Sequence, residues 1–152
     1  MPETKIPLGE KTSYEFKYNP NLLYPIARKD KRDEIGLPPD LEFFGLDLWT
    51  AFELSWLNPN GKPMVRICVL TVDKNTKNII ESKSFKLYLN SFNNTVFANE
   101  CDVASLIESD LSKNLVGAVT VTIYTLKDYQ VMFKDNIKAE SIDLLVASFK
   151  YY

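Results

Sequence analysis

Residues 79–92 read IIESKSFKLYLNSF, and the repeat of apolar residues changes inside this run. Up to Ile80 the apolar period is that of a strand. After Glu81, Phe85, Tyr88, Leu89 and Phe92 recur at three and four residues, which predicts a helix with one face in a core and Lys83, Lys86 and Asn90 on another face. Working upstream, LWTAFELSWLN from Leu48 is a strand rich in aromatic residues that ends at the turn signal NPNGKP (58–63). MVRICVLTVD (64–73) is dense in β-branched residues and completes a hairpin, and KNTKN returns the chain towards Ile79.

Downstream, CDVASLIESDLSKNL (101–115) predicts a second helix with Val103, Leu106, Ile107 and Leu111 as its apolar stripe and Asn99 or Asp102 as its cap. Gly117 opens a third strand, GAVTVTIYTL, and SIDLLVASFKYY (141–152) supplies a fourth after a charged connector. The order ββααββ predicts an α+β architecture, two helices packed on one face of an antiparallel sheet. Residues 1–48 are rich in Pro, Tyr and charge. Their mixed-sign run RKDKRDE (28–34), followed by Pro38 and Pro39, reads as a solvated connecting loop. The expected organisation is an arm, 1–48, packed on a domain, 49–152, as one compact unit.

A chain of 152 residues buries roughly 68–70% of its unfolded surface, enough for one core. Its net charge of −2 provides no broad positive field for a phosphate backbone, so direct nucleic-acid binding is not expected. The polar start MPETKIPLGEKTSYEF has no signal-peptide core, and no apolar run approaches the ~18 residues of a membrane span. A cytoplasmic location and no membrane partner are the expectation. With no histidine and only Cys68 and Cys101, imidazole-based triads and the usual zinc ligand sets are unavailable, so no metal site is expected. Cys68 in a dense apolar strand and Cys101 at a helix start read as structural, and Trp49, Trp56 and the Phe85/Tyr88/Phe92 stripe read as core.

Lys83 and Lys86 sit in the opening turns of the helix, where the backbone dipole disfavours positive charge by roughly 0.3–1 kcal/mol. An anionic ligand would reverse the sign: free backbone N–H groups, the hydroxyls of Ser82 and Ser84 and an ammonium group are the parts of a phosphate site. None of the five glycines forms a GxGxxG or Walker pattern. Glu81 adds an acceptor for two parallel hydrogen bonds from the ring N–H and exocyclic amine of a guanine-like base. An ion pair with Lys83 or Lys86 is the plainer use of the same carboxylate, and chemistry alone favours it.

ESKSFKLYLNSF (81–92) closely resembles the signature of the 7-cyano-7-deazaguanine reductases, the nitrile reductases of queuosine biosynthesis, a tRNA modification. YEFKYNPNLLYPIAR (14–28), GLDLWTAFELSWLNPNGKP (45–63) and IDLLVASFKYY at the end resemble successive parts of the N-terminal half of the family's long, two-module form. The resemblance implies a tunnelling fold, tandem ββααββ modules related to GTP cyclohydrolase I. It implies reduction of a nitrile to an aminomethyl group by two NADPH, through a thioimide formed by a cysteine thiolate and with an aspartate moving protons.

The one-module members place their cysteine and aspartate around Ser-x-Cys-Pro-x-x-Gly-Gln-Pro-Asp. The matching stretch here, SWLNPNGKPM, holds Leu57 and Met64 at those positions, and the family's His-Glu pair has no counterpart. The resemblance therefore implies the half of a two-module enzyme that carries no catalytic residue, partnered by a cysteine-bearing C-terminal module and assembled as a homo-oligomer. Carried over residue by residue, it assigns Ile80, Glu81 and Ser82 to the deazaguanine substrate and Lys83, Ser84 and Lys86 to the NADPH phosphates, with Arg28 as an additional cation. A competing reading is a non-catalytic tunnelling-fold module for purine binding or assembly. A cyclohydrolase-like enzyme fails for want of zinc ligands.

Overall fold

The computed structural model describes residues 15, 17–38 and 41–132 of the chain. In order they form a 3₁₀ turn (Pro20–Leu22), β1 (Pro25–Ala27), α1 (Arg28–Glu34), β2 (Leu46–Leu57), β3 (Pro63–Asp73), β4 (Asn78–Ile80), α2 (Ser82–Asn90), α3 (Glu100–Leu115), β5 (Val119–Tyr124) and α4 (Leu126–Met132). The architecture is α+β. β2, β3 and β5 make an antiparallel sheet with β3 at its centre, and β1 pairs antiparallel with β4 as a separate ribbon. The fourth strand expected at 141–152 lies outside the described residues.

The hairpin forms because its turn is built from suitable residues. Asn58 Oδ1 accepts from the backbone N–H groups of Asn60 (3.0 Å) and Lys62 (2.9 Å), while Gly61 takes φ +75°, which costs glycine nothing. β2 carries one more residue than β3 between the pairs Ala51–Cys68 and Leu54–Arg66. That bulge reverses the side-chain parity, so Trp49 and Ala51 before it share a face with Leu54 and Trp56 after it. On the same face lie Cys68, Leu70, Val72, Val119 and Val121, under Phe85, Tyr88, Leu89 and Phe92 of α2 and Val103, Ile107, Leu111 and Leu115 of α3. α4 folds against β3 and β5, with Tyr129 edge-on to Phe52 at 5.8 Å and to Tyr124 at 6.3 Å.

The segment before β2 is tied to α2. Tyr18 Oη donates to Asp110 Oδ2 at 2.6 Å, Tyr88 Oη donates to the same oxygen at 2.7 Å, and the Tyr18 ring lies edge-on to Phe92 at 5.2 Å. Burial, reinforced by the adjacent carboxylate, pushes both phenols well above their ordinary pKa. The N–H groups of Asn19 and Tyr24 donate to Ser91 Oγ and Ser84 Oγ at 3.1 Å each.

The run RKDKRDE is a helix, α1, and not the expected loop. Its signs alternate at helical spacing: Lys29 pairs with Asp33 and Lys31 with Glu34, while Arg28 fixes the first turn to Thr76 Oγ1 (3.0 Å) and to Asp47. The third strand ends at Tyr124, earlier than expected, because Thr125 and Asp128 exchange the hydrogen bonds that start α4. Of the two expected caps of α3, Asn99 is the one used, its Oδ1 accepting from Asp102 N at 2.9 Å.

Val116 leaves α3 in the left-handed region (φ 53°), and the next residue, Gly117, passes tightly against the β3–β4 turn. A Cβ on Gly117 would stand 2.7 Å from Thr76 Cγ2 and 3.0 Å from Thr76 Cα. Gly117→Ala is therefore expected to destabilise the chain by about 1–3 kcal/mol in urea titration, whereas Gly45→Ala, with its nearest contacts at 3.8 Å, leaves the midpoint close to wild type.

Candidate functional site around Glu81

β4 delivers Glu81 to the start of α2, and the residue is 7% exposed. Its backbone N–H donates to Tyr24 O at 2.9 Å, and its carbonyl accepts from Ser84 Oγ (2.7 Å) and Phe85 N (3.0 Å). The carboxylate folds over the helix end: Oε1 accepts from Lys83 N at 2.9 Å and Oε2 from Ser84 N at 2.7 Å. Glu81 is thus the N-cap of α2, filling with a longer side chain the place usually taken by Ser, Thr, Asp or Asn.

This geometry corrects the expectation of free N–H groups at the helix start. Those of Lys83 and Ser84 are held by Glu81, and the negative charge that favours two nearby lysines is the chain's own. The six residues singled out in sequence divide accordingly. Glu81, Lys83 and Ser84 surround the first turn, with Lys83 half-buried. Ser82 and Lys86 are exposed beside it. Ile80 turns its side chain into the core, and the Ser84 hydroxyl is engaged by Tyr24 N and by the Glu81 carbonyl. A carboxylate offers about four acceptor directions, so the two oxygens of Glu81 retain capacity for one further donor each.

Leu57 and Met64 lie far from this cluster. Leu57 exchanges backbone hydrogen bonds with Thr95 O and Phe97 N, both 2.9 Å, just beyond the C-terminal end of α2. Nine residues of helix separate that end from Glu81, about 14 Å at the α-helical rise. Cys68 is fully buried in β3, and burial pushes its thiol up to about 12; Cys101 is exposed at the start of α3. Among the described residues no three His, Cys, Asp or Glu side chains gather as metal ligands, and no helix is long and apolar enough to cross a membrane.

The profile of a protein family described as "Nitrile reductase, 7-cyano-7-deazaguanine-reductase N-term" matches residues 14–123. The chain belongs to that family. A relative named NADPH-dependent 7-cyano-7-deazaguanine reductase from Cupriavidus pinatubonensis is 49% identical over 124 residues, which are 80% of this chain and 45% of the relative. Proteins of the same name from Acidovorax ebreus and Ralstonia nicotianae are 55% identical over 106 residues and 45% identical over 141 residues, covering 38% and 51% of their own lengths. The chain spans about half the length, or less, of the curated relatives it matches.

The thiols and the cap are separately testable. In the native chain at pH 8, Ellman's reagent is expected to titrate Cys101 promptly and Cys68 only on unfolding; rapid modification of both would contradict the buried, protonated state of Cys68. Glu81→Ala should destabilise the fold by about 1–2 kcal/mol through loss of the cap, with Glu81→Asp or Glu81→Gln recovering part of it, read by thermal denaturation.

Proposed function

We propose that this chain is the N-terminal part of an NADPH-dependent 7-cyano-7-deazaguanine reductase, the oxidoreductase that converts a nitrile to an aminomethyl group in queuosine biosynthesis. In this reading it is a tunnelling-fold module of order ββααββ, working in the cytoplasm. Family membership across 14–123 and the names of its relatives support the activity and the cofactor. The observation that carries the site is the buried carboxylate of Glu81, held rigidly by two backbone N–H groups with acceptor capacity to spare.

Glu81 accepts the ring N–H and exocyclic amine of the deazaguanine, and its preset geometry means little orientation is lost when the base binds. Ser82, exposed at the first helical residue, presents its hydroxyl to the same edge; Ile80 acts by packing, which fixes the approach of Glu81. The donor set fits a dinucleotide in part. NADPH supplies hydride when bound, and Lys83 and Lys86, three residues apart on α2, are the ammonium groups that hold its phosphates. Ser84 serves as a positioning residue, because its hydroxyl ties Tyr24 to the helix.

The chain provides no nucleophile of its own. Cys68 is protonated and enclosed, and the position equivalent to the family's cysteine is Leu57, at the far end of α2 from Glu81. A thiolate must approach within about 3–3.5 Å of the nitrile carbon, so another module has to bring it. The exposed apolar side chains Leu46, Leu48 and Phe52 on β2 suit the docking of that cysteine-bearing part and homo-oligomer assembly.

The 152-residue chain alone is expected to show no NADPH oxidation with 7-cyano-7-deazaguanine. Adding the cysteine-bearing C-terminal half of a relative should restore turnover. In that complex Glu81→Gln is expected to lower kcat/KM by about 10²-fold or more, with Lys83→Ala and Lys86→Ala raising KM for NADPH. Turnover by the chain alone would refute the assignment of the nucleophile to another module.

A further inference from the structure

A cavity of about 520 Å³ opens between α1, the residues that follow it and the β3–β4 turn, within the size range of sites for small organic ligands. Leu37, Pro38, Leu41 and Phe43 form its apolar wall. Arg28, Lys29, Arg32 and Lys77 also line it, against the single acid Asp33. The pairing of these charges is uneven. Arg28 is matched by Asp47 and Lys29 by Asp33, whereas among the described residues Arg32, Lys77 and the adjoining Lys74 make no ion pair with a carboxylate.

Two of them, Arg32 and Lys74, are held in place by uncharged groups. Arg32 Nη2 donates to Lys74 O at 2.7 Å, and both the Arg32 guanidinium and the Lys74 ammonium lie over the Phe43 ring, 5.6 Å and 4.7 Å from its centroid. In a chain of net charge −2, Arg28, Lys29, Arg32 and Lys77 line one partly apolar cavity with Asp33 as its single acid, and Lys74 adjoins it; Asp47 and Asp33 pair with Arg28 and Lys29, which leaves Arg32, Lys77 and Lys74 as a local surplus. A phosphate would neutralise the surplus through charge-assisted bonds, and the apolar wall with the planar guanidinium of Arg32 suits a flat heterocycle.

We propose that this cavity binds a phosphorylated purine nucleoside, with Arg32 and Lys77, aided by the adjoining Lys74, on the phosphate and Leu37, Pro38, Leu41 and Phe43 on the base. The proposal concerns the α1 cavity alone; for a free mononucleotide it stands apart from the reductase reading, and for the end of a dinucleotide it rests on that reading. Two sources carry the chemistry: a free adenine mononucleotide, or the phosphorylated adenosine end of a dinucleotide. Asn78 on the cavity rim and Glu81 are joined by β4, a span of about 10 Å, so a dinucleotide could lie along that strand.

The test is calorimetric titration of the 152-residue chain with 2′-AMP, 5′-AMP, adenosine and inorganic phosphate. At least one adenosine phosphate should bind, about tenfold or more tighter than adenosine or phosphate alone, and more weakly as ionic strength rises. Lys77→Glu should weaken that binding about tenfold or more, while Lys62→Glu in the β2–β3 turn leaves it unchanged. Arg32→Gln, with folding checked by circular dichroism, provides a second variant. Displacement of bound 2′-AMP by NADPH assigns the site to the dinucleotide; displacement by 5′-AMP and not by NADPH assigns it to the mononucleotide, and either supports the proposal. No binding of either adenosine phosphate, binding no tighter than that of inorganic phosphate, or affinity unchanged in both variants would overturn it. Loss of turnover in the reconstituted reductase with intact 2′-AMP binding would count against the reductase reading alone.

Discussion

A nearly buried carboxylate folded over the start of a helix is the constraint on which the rest of the structure depends. Removing an ion from water costs several kcal/mol even after relaxation, so Glu81 persists only because two backbone N–H groups and the helix dipole meet it at short range. The same residue ends β4, accepts the hydroxyl of Ser84 through its carbonyl and donates its N–H to Tyr24 O. One residue, through its main chain and its side chain, thereby joins ribbon and helix. α2 then places Phe85, Tyr88, Leu89 and Phe92 on the sheet, and the Tyr18–Asp110–Tyr88 cluster joins the N-terminal segment, α2 and α3 around one acceptor oxygen.

That arrangement bears directly on how function is divided. In the proposed reading, the acceptor Glu81 stands at one end of α2 and Leu57, at the position equivalent to the family's nucleophile, beyond the other. Leu57, the last residue of β2, is held by backbone hydrogen bonds to Thr95 and Phe97, and Met64 is paired with Trp56 in the β2–β3 ladder. A recognition surface completed by another surface, as proposed, would give a physical reason for relatives nearly twice as long. It also gives a use for the apolar side chains along β2, whose solvent exposure a lone module gains nothing from.

Charge is handled in two ways in this acidic chain. At α2 the lysines neighbour a carboxylate that the chain itself supplies, and in α1 the alternating signs satisfy one another along the helix. Between α1 and the β3–β4 turn the cations rest instead on a carbonyl and an aromatic ring, an arrangement that leaves them available to an anion. The difference could not be seen from local composition, since both regions read as lysine-rich and mixed in sign.

The long elements were legible in the residues because their periods are long enough to read: the hairpin from Leu48 to Asp73 with its NPNGKP turn, the helical stripe after Glu81, and the apolar stripe of α3. The importance of Glu81 was legible too, from its place at the change of period. Short or compensated features were not. β1 and β4 have three residues each, too few for alternation to register; the bulge in β2 breaks the parity that would have marked its core face; and α1 hid behind mixed charges that looked like a loop until their i,i+3 and i,i+4 partners were placed. Sequence alone determined where periodic burial had to occur and that this chain lacks histidine and a nucleophile at the family position. Only the tertiary structure decided that the helix start is capped from within and that Arg32 and Lys74 meet over Phe43, because hydrogen bonds and Coulomb forces depend on separations in space that are set only on folding.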